Sequence, residues 1–258
     1  MTKPRNYQTE AIIIKKTKLG EADSILTLYT PDLGKIQGFA KSLRKPKSKL
    51  AGHLELLTYS LVSLARGRNL DTITGSQTIN SFLPLRSDLE LTSYALYAAE
   101  LVNQFTVEHV ENRPLFRSLL ETMEHLCQAS NSELVLRYFE LQLLNQVGYR
   151  PQLQQCVTCH QPLQPVTNSF CSSAGGMLCP NCRQSQPLSH PLSVSALKVL
   201  RLLQSSDYST VSRLGLNREL SHELEAVIRA YLKYLLEREV KSAVWLDTLR
   251  SSRLINNS

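Results

Sequence analysis

The stretch QTEAIIIKKTKLGEADSILTLYTPDLGKIQGFAK, residues 8–41, decides how this chain is read. It opens with Gln8–Lys16, a run crowded with isoleucines whose branched side chains favour extended backbone. Ser24–Thr30 (SILTLYT) is a second run of the same kind. Pro31-Asp32-Leu33-Gly34 then places Pro and Gly where a reversing turn needs them. In the third run, Lys35–Lys41, strand alternation puts Lys35, Gln37, Phe39 and Lys41 on one face and Ile36, Gly38 and Ala40 on the other. Two further runs follow, Leu56–Ala65 and Leu70–Ile79, with Gly67 and Asn69 marking the turn between them.

Five short strands within residues 1–80 predict a small antiparallel barrel, and the five-stranded oligonucleotide/oligosaccharide-binding (OB) fold is the leading choice. Beyond it the hydrophobic period lengthens to that of helices. Ser87 and Glu90 are spaced as a capping box, ahead of an apolar face of Leu91, Tyr94, Ala95, Ala98, Leu101, Val102 and Phe105. A second helix is expected from about Pro114 and a third from Asn131 to Val147, closed by Gly148. Helices resume at Ser193–Gln204 and Asn217–Arg238, with a short last one over 241–250. The expected fold class is therefore α+β and multi-domain. An OB-fold β-barrel spans 1–80, an all-α domain lies in two parts at 81–151 and 192–258, and a four-cysteine zinc-binding insertion fills 152–191.

The insertion is read from its cysteines. Cys156 and Cys159 (CVTC) and Cys179 and Cys182 (CPNC) form two pairs with nineteen residues between them, a spacing that lets two turns close a tetrahedron around one ion. This stretch is rich in Gln, Pro, Ser and Gly and poor in aliphatic residues, so a metal would supply folding energy that its own core lacks. Four thiolates leave no open coordination position, which fits a structural ion. Redox roles are the alternative for two CxxC turns, but the strand–helix junction typical of such motifs is not visible here. Cys171 has no CxxC partner, and Cys127 falls on an apolar helical stripe.

Charge marks a different region. The chain has a net charge of +7. Residues 1–80 hold thirteen Lys and Arg against six Asp and Glu, while the remainder balances at sixteen of each. Lys41-Ser42-Leu43-Arg44-Lys45-Pro46-Lys47-Ser48-Lys49 carries five positive charges and no negative one. A solvated charge run is the bland reading. Confinement of the excess to a barrel, beside a strand that sets Phe39 among lysines, favours nucleic acid: cations track phosphates while a base stacks on the ring. The candidate contacts are Lys35, Lys41, Arg44, Lys45, Lys47, Lys49, Arg66, Arg68 and Phe39. Phe39, Tyr29 and Tyr59 could each pack inward instead.

No Walker loop, GxSxG or HExxH occurs, and the histidines are scattered, so no catalytic residue is assigned. No run approaches the ~20 apolar residues of a membrane span. The N-terminal MTKPRNYQTE has no apolar segment of an export signal. Paired thiols at metal spacing suit a reducing compartment, and the cytoplasm is expected.

The order of parts resembles the bacterial recombination-mediator family RecO, across nearly the full length. The residues that carry the resemblance are LGEADSILTLYTPDLGK, the basic KSLRKPKS loop and the GG-x-x-C-x-x-C half of the cysteine site. The cysteines match the zinc-bearing branch. The resemblance implies an OB-fold domain, a helical domain with a zinc insertion, and no enzymatic activity. It implies binding to single- and double-stranded DNA, annealing of complementary strands, and action with RecR to help load RecA on strands coated with single-strand-binding protein (SSB). The C-terminal tail of SSB would be met on the helical domain, and the setting is the nucleoid of a bacterial cytoplasm. A zinc-ribbon interaction protein binding RNA or an acidic partner, and a hydrolase with catalytic zinc, are the competing readings from the residues alone.

Overall fold

The structure is a computed structural model and describes residues 5–184, 186 and 188–256. The first four residues of the segment read for an export signal lie outside the described residues. The chain forms two compact units. One comprises the residues up to Gln128 together with those from Ser242 on, and the other is Ala129–Lys241.

The first unit is built on five strands: β1 (Asn6–Leu19), β2 (Asp23–Thr30), β3 (Gly34–Ala40), β4 (Tyr59–Ala65) and β5 (Asp71–Asn80). They close into a barrel of order β1-β2-β3-β5-β4. Strand β1 serves two neighbours, pairing with β4 from Asn6 to Ile12 and with β2 from Ile12 to Leu19. The register shifts between Ile13 and Lys15, a bulge that bends the strand from one partner to the other. Closure comes from a short parallel contact of β3 with β5, Gly38↔Asp71 and Phe39↔Thr72. Ala11, Ile13, Leu26, Leu28, Ile36, Val62, Leu64 and Ile73 fill the interior, as alternation requires when one face of every strand is buried. Gly34 has φ +62°, and a Cβ there would lie 2.0 Å from the Val110 carbonyl oxygen, so both the turn and the close approach of that loop need glycine.

Four helices complete this unit: α1 (Leu83–Ser87), α2 (Leu89–Phe105), α3 (Arg113–Gln128) and the later C-terminal helix. The cap of α2 differs from the expected Ser87 box. Asp88 is the N-cap, and its carboxylate accepts the N–H groups of Glu90 (2.7 Å) and Leu91 (3.0 Å). Ser87 instead ends α1, where its hydroxyl donates to the Leu83 and Pro84 carbonyls. A carboxylate at the positive end of the helix dipole outcompetes a hydroxyl one residue away. Tyr29 is fully buried, and the rings of Tyr29 and Tyr59 both lie against Phe116 of α3. These two tyrosines are packing residues.

The second unit contains α4 (Ser132–Gln146), β6 (Asn168–Cys171), β7 (Gly176–Leu178), the short α5 (Pro180–Arg183), β8 (His190–Leu192), α6 (Val194–Ser205), α7 (Tyr208–Val211) and α8 (Arg218–Leu236). The side chains of Asn131, Ser193 and Asn217 cap α4, α6 and α8, as their sequence positions predict. The cysteine-bearing stretch holds a three-stranded sheet of order β7-β6-β8 that its composition did not announce. The chain then re-enters the first unit in α9 (Lys241–Asn256), where the Ser242 N–H and hydroxyl both donate to Glu100 Oε2 (2.8 and 2.6 Å). Among the described residues no helix is long and apolar enough to cross a membrane.

Candidate functional site

Strand β3 sets the geometry of the barrel's outer face. Ile36, Gly38 and Ala40 point inward and are buried, while Lys35, Gln37 and Phe39 are half-buried on the outside, as alternation predicts. Register aligns Phe39 with Ile25 of β2 and Thr72 of β5, and Ile25 with Thr17 of β1. An aromatic ring thus sits in a row that crosses four strands. One step along, Lys15 aligns with Thr27 and Thr27 with Gln37. Lys15 is exposed and extends the positive face. Counting by twos from Ile12 could not place it, because the bulge at Ile14 breaks the period.

The basic loop leaves this strand at Lys41. It is held at several points rather than free. Leu43 is buried in the barrel core, the Ser42 N–H donates to Asp23 Oδ1 (2.6 Å), and the Arg44 N–H donates to the Ala22 carbonyl (2.9 Å). The Arg44 guanidinium turns back onto the Gly20 carbonyl in the β1–β2 turn. Lys41, Lys45, Lys47 and Lys49 are left projecting into solvent. The loop is therefore a fixed backbone that displays four ammonium groups.

Lys35 serves a different end. Its Nζ donates to the carbonyls of Asn103 (2.7 Å) and Thr106 (2.6 Å), at the C-terminus of α2 where the helix dipole is negative. Desolvation pulls its pKa below the ordinary lysine value, opposed by the Glu108 carboxylate. Gln37 Nε2 donates to Glu108 Oε1 (2.5 Å). These two outward residues of β3 hold the segment after α2 against the barrel, and Lys35 turns its charge to carbonyls rather than to solvent. No sequence pattern shows this, since the partners lie 68 and 71 residues away.

Arg66 and Arg68 are exposed in the β4–β5 turn. The Arg66 guanidinium lies 4.7 Å from the centroid of the Tyr7 ring. Because β5 runs parallel to β3 and begins level with Gly38, residues 66–70 lie towards the Gln37 end of the strip. The lysine loop leaves from the other end. Cations therefore flank Phe39 on both sides, an arrangement suited to an extended polyanion with bases that stack.

The second candidate site is the cysteine cluster. The sulfurs of Cys156, Cys159, Cys179 and Cys182 all lie within 4.8 Å of one another. A tetrahedron with Zn–S bonds of about 2.3 Å has S···S edges of about 3.8 Å. Cys159 Sγ and Cys179 Sγ are 3.8 Å apart, so these thiols already have the spacing of such a shell. Each pair sits on a tight turn. The His160 N–H donates to the Cys156 carbonyl (2.9 Å), and the Cys182 N–H to the Cys179 carbonyl (3.1 Å). Burial works against a thiolate at Cys156, but the backbone N–H groups of Cys159, Cys179 and Thr158 outweigh it and bring the thiol down to about 6. The Cys182 thiol is pushed up to about 12, first by its hydrogen bond with Cys179. Several thiolates packed this close together call for a cation among them. The donor set fits a soft, tetrahedral metal ion held by four residues, which would tie the two turns together. Cys171 is buried beside the site and its sulfur approaches Ser173 Oγ (3.2 Å), outside the set of four.

Comparison with known proteins finds relatives for both parts of the chain. The family described as "Recombination protein O N terminal" matches residues 1–82, and "Recombination protein O C terminal" matches residues 86–243. The "DNA repair protein RecO" of Dehalococcoides mccartyi strain CBDB1 is 54% identical over 254 residues, covering 98% of this chain and 100% of that protein. The protein of the same description from Roseiflexus sp. strain RS-1 is 43% identical over 246 residues, covering 95% and 87%. That from Desulforamulus reducens is 34% identical over 248 residues, covering 96% of each. A barrel followed by helices and a four-cysteine cluster, matched over nearly its whole length, places this chain in the RecO family of DNA repair proteins.

Proposed function

We propose that this chain is a recombination mediator that binds single- and double-stranded DNA on the outer face of its barrel and anneals complementary strands. The observation that carries the reading is the pinned loop with Lys41, Lys45, Lys47 and Lys49 exposed beside the outward Phe39. Arg66 and Arg68 extend the phosphate track, while Arg44 and Lys35 hold the backbone that presents it. Two complementary strands repel each other through their phosphates. A surface that condenses both lowers that barrier by releasing counterions and consumes no nucleotide. Phe39 would hold an unstacked base and so keep a single strand open for pairing.

Family membership supports a wider role. With RecR, the chain would help load RecA onto single strands coated with SSB, whose C-terminal tail would dock on the helical part. The setting is the bacterial cytoplasm. The ion would be zinc, held by Cys156, Cys159, Cys179 and Cys182 as a structural tie, and the protein would act without covalent chemistry of its own. Annealing of complementary oligonucleotides, followed with ATP omitted, tests the reading. Acceleration over the protein-free rate is expected, and an unchanged rate would reject it.

A further inference from the structure

The β4–β5 turn, which carries Arg66 and Arg68, ends on a carboxylate. Asp71, the first residue of β5, receives two hydrogen bonds. Its Oδ1 accepts the N–H of Gly67 at 3.0 Å, and its Oδ2 accepts the hydroxyl of Tyr7 at 2.6 Å. The Tyr7 ring in turn lies under the Arg66 guanidinium, 4.7 Å from centroid to carbon, and the Arg66 N–H donates to the Arg5 carbonyl at 2.8 Å. Burial first, and then the bond to Asp71, push the Tyr7 hydroxyl pKa up, so it remains a donor at neutral pH. The turn between is tight. A Cβ on Gly67 would lie 2.0 Å from the Leu70 carbonyl oxygen.

Electrostatics alone makes Asp71 a liability for a polyanion surface, since it places a negative charge beside Arg66 and Arg68. Its geometry offsets that cost. One carboxylate fixes the turn backbone through Gly67, and through Tyr7 it fixes the aromatic seat of Arg66. We propose that Asp71 is a positioning residue for nucleic acid, locking the β4–β5 turn so that Arg66 and Arg68 are presented to phosphates in a set geometry. The inference rests on the DNA-binding reading above and adds to it a requirement for the geometry of this side chain rather than for its charge.

Two substitutions separate geometry from charge, because they remove the same charge. In Asp71→Asn the amide oxygen still accepts from Gly67 and the amide nitrogen can donate to the Tyr7 oxygen, so the turn is kept. In Asp71→Ala both hydrogen bonds disappear. Affinity for a fluorescent single-stranded oligonucleotide is measured on the full chain across a salt series. Asp71→Asn should bind as well as the parent or better. Asp71→Ala should bind several-fold more weakly despite its extra net positive charge. Its log–log salt dependence should be shallower by about 0.7 for each phosphate that is no longer neutralised on a single strand. Gly67→Ala, which shifts the turn without changing charge, should weaken binding in the same direction and guards against an Asp71→Ala variant that does not fold. If Asp71→Ala and Asp71→Asn bind equally well, or Gly67→Ala binds as the parent does, the positioning role is overturned while the DNA-binding reading stands. If the parent chain binds no oligonucleotide at low salt, the DNA-binding reading falls and this inference falls with it.

Discussion

The barrel and the cysteine-bearing stretch have interiors of different chemistry, and in the proposed reading that difference separates the part that binds from the part that supports. The barrel packs Leu26, Leu28, Ile36, Val62, Leu64 and other aliphatic side chains into a closed interior, while helices cover one side of its outer face and the Phe39 side carries polar and charged groups. The stretch around the thiols has a core cluster of Cys156, Cys171 and Leu178, with Val157, Leu163, Cys179 and Cys182 packed on it. A cluster of that size gains little from the hydrophobic effect. An ion held by the four closely spaced thiols would add to that small cluster. The exposed cations of the proposed phosphate track all lie on the barrel.

The contrast breaks most sharply on metal removal. Chelation, or Cys156→Ala, should unfold the residues around the cluster, because a structural zinc supplies on the order of 10 kcal/mol. Limited proteolysis would then cut within 152–191. The emission of Trp245, the single tryptophan, which lies in the same unit as the barrel, should change little. A metal-free chain with unchanged melting and protease resistance would show that the ion is dispensable. Leu28→Ala should do the reverse, costing about 2–5 kcal/mol of barrel stability through a core cavity, read by denaturant unfolding, with metal content unchanged. Phe39→Ala sharpens the comparison on the binding face. Loss of base stacking should weaken single-strand affinity by about 1–3 kcal/mol and double-strand affinity by less, with melting and metal content retained. Equal losses on both DNA forms would contradict a stacking role.

How far the sequence led depends on the range of the interactions. The face of β3 was legible because alternation is local: Ile36 and Ala40 had to turn inward if Phe39 turned out. The cysteine tetrad was legible because the geometry of each CxxC turn is local and the spacing between the two turns is one that lets both reach a single ion. The placement of Lys35 was not, since a lysine on a basic strand reads as solvent-facing until the end of α2 is seen against it. Lys15 was hidden by the bulge at Ile14. The cap of α2 was hidden by two adjacent competent residues, Ser87 and Asp88, of which the charged one prevails. Strands β6, β7 and β8 are three to four residues long and lie among Gln, Pro and Ser, too short for periodicity to register. The return of α9 to the first unit depends on packing through Ala243 and Leu246 and on the Ser242–Glu100 bonds, which no window of sequence contains.

The most direct test of the account is the affinity of the full chain for a single-stranded oligonucleotide at low and moderate salt, before and after Lys45→Glu and Lys47→Glu combined. The account predicts tight, strongly salt-dependent binding by the parent. For the charge-reversed chain it predicts at least roughly a tenfold loss and a salt slope shallower by about 0.7 for each phosphate left without its cation, with metal content and melting unaltered. Unchanged affinity of the reversed chain at low salt would contradict it.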